Sequence, residues 1–190
     1  NELSSAGGVY VSENAEFEMT GGIITGCSGS TPLYLPCSAG VVNYGIFTMS
    51  GNATISGSKS TYGGDGSAIS NAGTFNADGG VVQTGQSCTN YAIIQNTGED
   101  STVFYCNVLN TGLGTISGGT YNYPVTNAGI ITNGIFNGTV ENTYTVTGGT
   151  FNGSTTGIYT VTFDSGVPSQ IRAKAPAAVP EEPVRKGYTF

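Results

Sequence analysis

Histidine and tryptophan are missing from this 190-residue chain, and five basic residues face twelve acidic ones. Without histidine no Ser–His or Cys–His couple exists, which removes the commonest general base for a nucleophile. Only Lys59 precedes Arg172 among the basic residues. The body of the chain therefore offers nothing to a phosphate backbone, which argues against nucleic-acid binding. That shortage, with a net charge of −7, predicts repulsion from an anionic membrane surface. No apolar run approaches the roughly 20 residues needed to cross a bilayer, so no membrane insertion is expected. No signal peptide is seen and the chain begins with Asn1, which reads as a processed or excised piece. The four cysteines, Cys27, Cys37, Cys88 and Cys106, make no CxxC, and with no histidine they form no zinc site. No metal or cofactor is expected.

What is present is glycine, 31 residues of it, among 37% hydrophobic residues. That apolar share is too high for a disordered tail, and glycine without a strict period of three excludes collagen. Three stretches abut near the C-terminal end: GGTYNYPVTNAGIIT (118–132), NGIFNGTVENTYTVT (133–147) and GGTFNGSTTGIYTVT (148–162). Gly119, Gly134 and Gly149 match, as do Tyr121, Phe136 and Phe151, then Asn122, Asn137 and Asn152. Fixed-period self-similarity marks a repeat architecture. Strand-type side chains between Gly and Asn turn signals make the unit a β coil. The expected fold is all-β: a single-stranded, right-handed parallel β-helix (a β-solenoid) over residues 1–157, with a short C-terminal β appendage at 158–190.

The N-terminal half uses the same vocabulary at a longer stride. Asn-x-Gly tripeptides begin at Asn43, Asn71, Asn96, Asn110 and Asn127, the first two 28 apart and the next 25. The 15-residue copies then read either as small whole coils or as half-coils. The inward aromatics are Phe17, Phe47, Phe75, Tyr121, Phe136 and Phe151, beside Ile24, Ile55, Val82, Ile94, Ile116 and Ile131. The repeated asparagines have two readings, an internal amide ladder or a left-handed turn beside glycine. Cysteines in such a core act as small hydrophobes. If a disulfide forms, Cys27–Cys37 is the first candidate, closing the proline-flanked loop CSGSTPLYLPC (27–37). This loop and SGSKSTYGGDG (56–66) leave the coils, and their aromatic tips, Tyr34 and Tyr62, are the candidate binding residues.

From about Gly157 the Gly-Asn pattern stops and four of the seven prolines follow. The strand Tyr159–Asp164, Val167-Pro168 and the ending Pro183-Val184-Arg185-Lys186-Gly187-Tyr188-Thr189-Phe190 resemble the Listeria–Bacteroides repeat, the internalin-type B module of bacterial surface proteins. Ser165-Gly166 stands where that family has Asn-Gly-Gly, and the chain stops before its Gly and Trp. GGVYV, GIFTMSG and GGTFNG are similar to Gly-rich, pectin-lyase-like β-helices of secreted proteins. The resemblance implies an extracellular, secreted or cell-surface setting in Gram-positive bacteria, with further modules in the same chain.

Parallel β-helices of this kind include polysaccharide lyases and glycoside hydrolases, and glycoside hydrolysis needs two carboxylates about 5–10 Å apart. The acids before the tail are Glu13, Glu16, Glu18, Asp65, Asp78, Glu99, Asp100 and Glu141. Glu16 and Glu18 straddle Phe17 and share a solvated strand face, while Asp65 and Asp78 lie in Gly-rich turns. Thr145/Thr147 and Thr160/Thr162 suit an ice-binding ladder, but earlier coils do not continue it. The expected function is therefore a non-catalytic adhesin-type segment, a stiff spacer whose loops bind glycan or a host or bacterial surface protein. The alternative is a degenerate carbohydrate-active β-helix enzyme.

Overall fold

The computed structural model describes residues 7–29, 38–56, 59–60, 67–83, 88–90, 93–96, 101–161 and 170–172. These are all-β: no helix occurs among the described residues. Short runs rich in Val, Ile, Phe and Thr, cut every few residues by Gly or Asn, cannot sustain a helical period and pair as strands instead.

Two parallel sheets take the chain in turn. The first orders eight strands as they occur in sequence: Val9–Val11, Ser38–Asn43, Ser67–Asn71, Cys88–Asn90, Val108–Asn110, Val125–Asn127, Val140–Asn142 and Thr155–Thr156. The second stacks Glu16–Met19, Ile46–Ser56, Thr74–Val82, Ile93–Gln95, Thr115–Tyr121, Ile130–Phe136 and Thr145–Val146 in the same way. The far halves of its long strands pair with Ile23–Thr25, Val103–Phe104 and Thr150–Phe151. We call the chain between successive strands of the first sheet a round. Equivalent residues of adjacent rounds lie 32, 28, 19, 20, 17 and finally 15 apart. Val125↔Val140, Ile130↔Thr145 and Phe136↔Phe151 all pair within the same sheets, so each 15-residue copy is a whole round.

The core is a set of columns running across the rounds. Phe17, Phe47 and Phe75 are in register on the near half of the second sheet, where Ile94, Ile116, Ile131 and Val146 continue them. The far half carries Ile24, Ile55, Val82, Phe104, Tyr121, Phe136 and Phe151. Aromatic and aliphatic residues thus exchange columns between Phe75 and Phe104, where the rings meet edge to face at 6.1 Å and 82°. Beyond that step Phe104, Tyr121, Phe136 and Phe151 stack nearly parallel at 4.8–4.9 Å. Phe136 is fully buried between Tyr121 and Phe151, as the repeat register predicts. Phe104 belongs to this column and is absent from the expected list. Gly134 enters it at φ +132°, and a Cβ there would stand 3.0 Å from the Phe136 ring.

Six of the eight strands of the first sheet end on asparagine, and Asn43, Asn71, Asn110, Asn127 and Asn142 are buried, so the ladder reading prevails. Asn43 Nδ2 donates to Asn71 Oδ1 at 2.7 Å. Asn110 donates to Asn127, and Asn127 to Asn142, each at 2.6 Å. Asn43, Asn71, Asn110 and Asn127 are at most 1% exposed. The same side chains also bond their own turns, as Asn127 does to the Gly129 carbonyl at 2.9 Å. The register corrects the tripeptide alignment: Asn90, not Asn96, is the partner of Asn71 and Asn110.

Among the described residues, parallel stacking goes as far as Thr155–Thr156. Tyr159–Val161, at the end of the third copy, pairs antiparallel with Gln170–Arg172 instead of joining either parallel sheet. Gln170–Arg172 lies beside Thr145–Val146, at that end of the second sheet. The remainder of the expected appendage lies outside the described residues.

Candidate functional site

Tyr34, Tyr62 and Cys37 lie outside the described residues. Cys27 is a half-buried free thiol, its Sγ 3.6 Å from the Thr25 carbonyl oxygen. The loops expected to carry the two tyrosines begin side by side, because Ser28–Gly29 pairs parallel with Lys59–Ser60. That small pair packs on Ser38–Asn43, and beneath it Val42 and Ser70 are buried although they alternate with inward Val41, Asn43, Ile69 and Asn71.

The exposed aromatics of the described surface come from elsewhere. Tyr10 points outward from the first strand, between inward Val9 and Val11, and is 51% exposed. Tyr44, half-buried beside it, follows Asn43 at the corner between the sheets, held by a 2.8 Å bond from its N–H to the Val11 carbonyl. Register brings the two rings to 5.8 Å and a tilt of 46°. They are 34 positions apart in sequence, so the intervening loop hides the pairing from any local reading. A second pair, Tyr105 and Tyr123, meets at 6.4 Å and 75°, and Tyr144 is also exposed.

Tyr44 borders a groove of about 440 Å³ lined by Asn14, Ala15, Glu16, Gly45, Ile46, Gly73 and Thr74. Two of the lining glycines mark close approaches between rounds. A Cβ on Gly45 would run into the Ala15 and Ser12 carbonyl oxygens, and one on Gly73 would collide with Gly45 and Tyr44. Backbones therefore close up from round to round through Ile46 N–H to Ala15 O and Thr74 N–H to Gly45 O, both 2.9 Å. Asn14, at φ +63°, turns the chain back at the groove's end. The lining thus combines the aromatic Tyr44 with the polar Asn14 and Glu16. Concavity, one apolar platform and a few polar groups are what a small polar ligand needs.

Glu16 and Glu18 are both exposed on the outermost strand of the second sheet, as their alternation predicts. Glu13 and Glu141 are exposed too, while Asp78 is half-buried and lies inside the long strand Thr74–Val82, beside Gly79 and Gly80 at positive φ, rather than in the expected turn. Among the described residues no three of His, Cys, Asp and Glu come together in a way that could hold a metal ion. Asn122, Asn137 and Asn152 form an outer ladder, with side-chain bonds of 2.6 and 2.7 Å in exposed positions.

Two titratable groups are displaced, and both are internal. Cys88 Sγ lies 3.0 Å from Cys106 Sγ, both buried. That contact, and then burial, pushes the Cys88 thiol well up. Burial first, and then the two thiols, raises the Tyr121 phenol, whose hydroxyl donates to the Gly118 carbonyl at 2.8 Å. Neither group reaches the groove. Compared with protein-family models, curated proteins and solved structures, the chain gives no match.

Proposed function

We propose that the chain is a single-stranded parallel β-helix, right-handed, that serves as a stiff, non-catalytic segment of an extracellular bacterial surface protein and binds glycan on its outer face. The alternation of two parallel sheets in sequence order supports the architecture. The observation that carries the binding role is the groove beside Tyr10 and Tyr44. Tyrosine offers a large, rigid, amphipathic surface at low entropic cost, suited to the apolar face and hydroxyl rim of a sugar. Glu16 in the groove's lining, with Glu13 and Glu18 exposed nearby, favours a neutral or amino sugar over an acidic one. The tail's likeness to an internalin-type B module supports a place within a longer surface chain, and the antiparallel pairing of Tyr159–Val161 suits such a β-rich module.

The second reading is a degenerate polysaccharide lyase or glycoside hydrolase. The Glu16–Glu18 pair favours it, since alternate strand positions stand about 7 Å apart, within reach of the separation used by inverting enzymes. Both carboxylates, however, are open to solvent on the outermost strand of the sheet, and Glu18 lies outside the groove's lining. Probing a glycan array with the intact chain, and assaying reducing-sugar release from pectin and mucin, separates the readings. Binding without release, weakened about tenfold (about 1.4 kcal/mol) by Tyr44→Ala, is expected. Release of reducing ends abolished by Glu16→Gln would establish the enzyme instead, and absence of any glycan bound would defeat the binding role.

A further inference from the structure

Cys88 and Cys106 belong to adjacent rounds, and the strand pairing explains why they meet. Cys88 opens the strand Cys88–Asn90, which pairs residue for residue with Val108–Asn110, and its N–H donates to the Asn107 carbonyl at 2.7 Å. Cys106 stands two residues before Val108, on the turn that enters the same sheet. Both side chains point into the core, 2% and 3% exposed, and their sulfurs are 3.0 Å apart. A disulfide needs about 2.05 Å, so roughly 1 Å of closure separates two thiols from a bond. The thiol of Cys27, by contrast, faces the Thr25 carbonyl. Nothing in the proposed binding role uses the internal pair.

We propose that Cys88 and Cys106 form a buried disulfide that cross-links two neighbouring rounds. The bond is made while the chain folds, by exchange with a small external disulfide. One thiolate attacks that disulfide, giving a mixed disulfide and releasing one thiol; the second cysteine then displaces the other half. Two S–H bonds are lost, one S–S bond is formed, and the external disulfide takes up the two electrons as two thiols. Formation belongs to folding because the folded core shields both sulfurs and keeps Cys88 protonated, whereas the thiolate is the attacking species. Once made, the bond is shielded in turn from reductants. The link ties together the rounds at which the repeat shortens from 28 towards 15 residues. In that region the aromatic stack also changes column, at the edge-to-face step between Phe75 and Phe104.

The full chain is refolded in a glutathione redox buffer, denatured, alkylated with and without reduction, and mapped by peptide mass analysis. A peptide pair joined through Cys88 and Cys106 is expected. Its Tm should exceed that of chain refolded in reductant by roughly 6–12 °C, from the loop-closure cost of a ring of this size. The Cys27→Ser/Cys37→Ser variant, which leaves only the internal pair, should behave alike and removes competition from the loop cysteines. Free alkylation of Cys88 and Cys106 without reduction, in a chain that has folded, would overturn the proposal. So would either of them joined to Cys27 or Cys37 in the native sequence.

Discussion

Replacing Asn127 by alanine tests how much of the stability resides in the inner amide ladder. Asn127 is fully buried and its side chain makes four bonds. Its Nδ2 donates to Asn142 Oδ1 at 2.6 Å and to the Gly129 carbonyl at 2.9 Å, and its Oδ1 accepts from Asn110 Nδ2 at 2.6 Å and Gly129 N–H at 3.3 Å. Asn110 would keep weaker bonds to the Gly114 and Ile130 carbonyls; Asn142 would keep its Nδ2 bonds to the Tyr144 and Gly157 carbonyls, and its Oδ1 the long one from the Tyr144 N–H. Gly129, itself buried, would lose both of its bonds to the Asn127 side chain. At about 1–3 kcal/mol for each buried group left short, the expected cost is about 3–4 kcal/mol. Asn137→Ala is the control, because the same amide-to-amide bonds exist there in the exposed outer ladder. Water replaces those bonds, so the expected loss is below about 1 kcal/mol. Urea unfolding followed by near-ultraviolet circular dichroism gives both values from midpoint shifts at constant slope. Equal losses at Asn127 and Asn137 would refute the argument, since burial would then not decide the worth of an amide ladder.

Phe136→Ala should cost about 3–5 kcal/mol, because it empties an inner place of a four-ring stack and both neighbours lose a partner; a loss under about 1 kcal/mol in the same assay would show the register to be wrong. Gly134→Ala should destabilise by at least about 1 kcal/mol, since φ +132° excludes a side chain and the Phe136 ring blocks its Cβ; an unchanged Tm would contradict this. Alkaline pH should also weaken the fold. The raised Cys88 and Tyr121 groups hold their protons when folded and release them when unfolded. Stability is therefore intact below the unfolded pKa values and declines as pH rises through and above them, by up to about 1.4 kcal/mol per pH unit for each group. Chain with reduced thiols should decline from about pH 8.5, and disulfide-linked chain only from about pH 10, because Tyr121 alone remains. Melting curves that superimpose for the two forms between pH 8 and 10 would count against the internal pair's contribution.

Much of the architecture was legible because it repeats. The 15-residue copies carry the same Gly, aromatic and Asn at the same offsets, and pairing places them in the same column. What the sequence concealed lies where the repeat is imperfect. Phe104 stands in TVFYCN, without the glycine and asparagine that frame Phe136 and Phe151. Asn90 and Asn142 lack the glycine two residues on, so a search for Asn-x-Gly passes over them and selects Asn96 instead. The column exchange is invisible to alternation, because a long bent strand offers two inward positions and the pattern does not say which one a ring takes. The groove was hidden for a different reason: Tyr10 and Tyr44 meet only through register across a long loop. A corner position, one residue past the inward asparagine, is the signal that could have singled out Tyr44.

Every contact in the C-terminal half depends on the 15-residue copies being whole rounds. Spin labels on cysteines replacing Thr126, Glu141 and Thr156, all outward in one row of the first sheet, measure this directly in a Cys27→Ser/Cys37→Ser background. Adjacent strands are about 4.8 Å apart, so the labels at 126 and 141 should couple strongly, and those at 126 and 156 should be separated by two such steps. Strong coupling of 126 with 156, and weak coupling of 126 with 141 from opposite faces, would mean half-coils and would contradict the account.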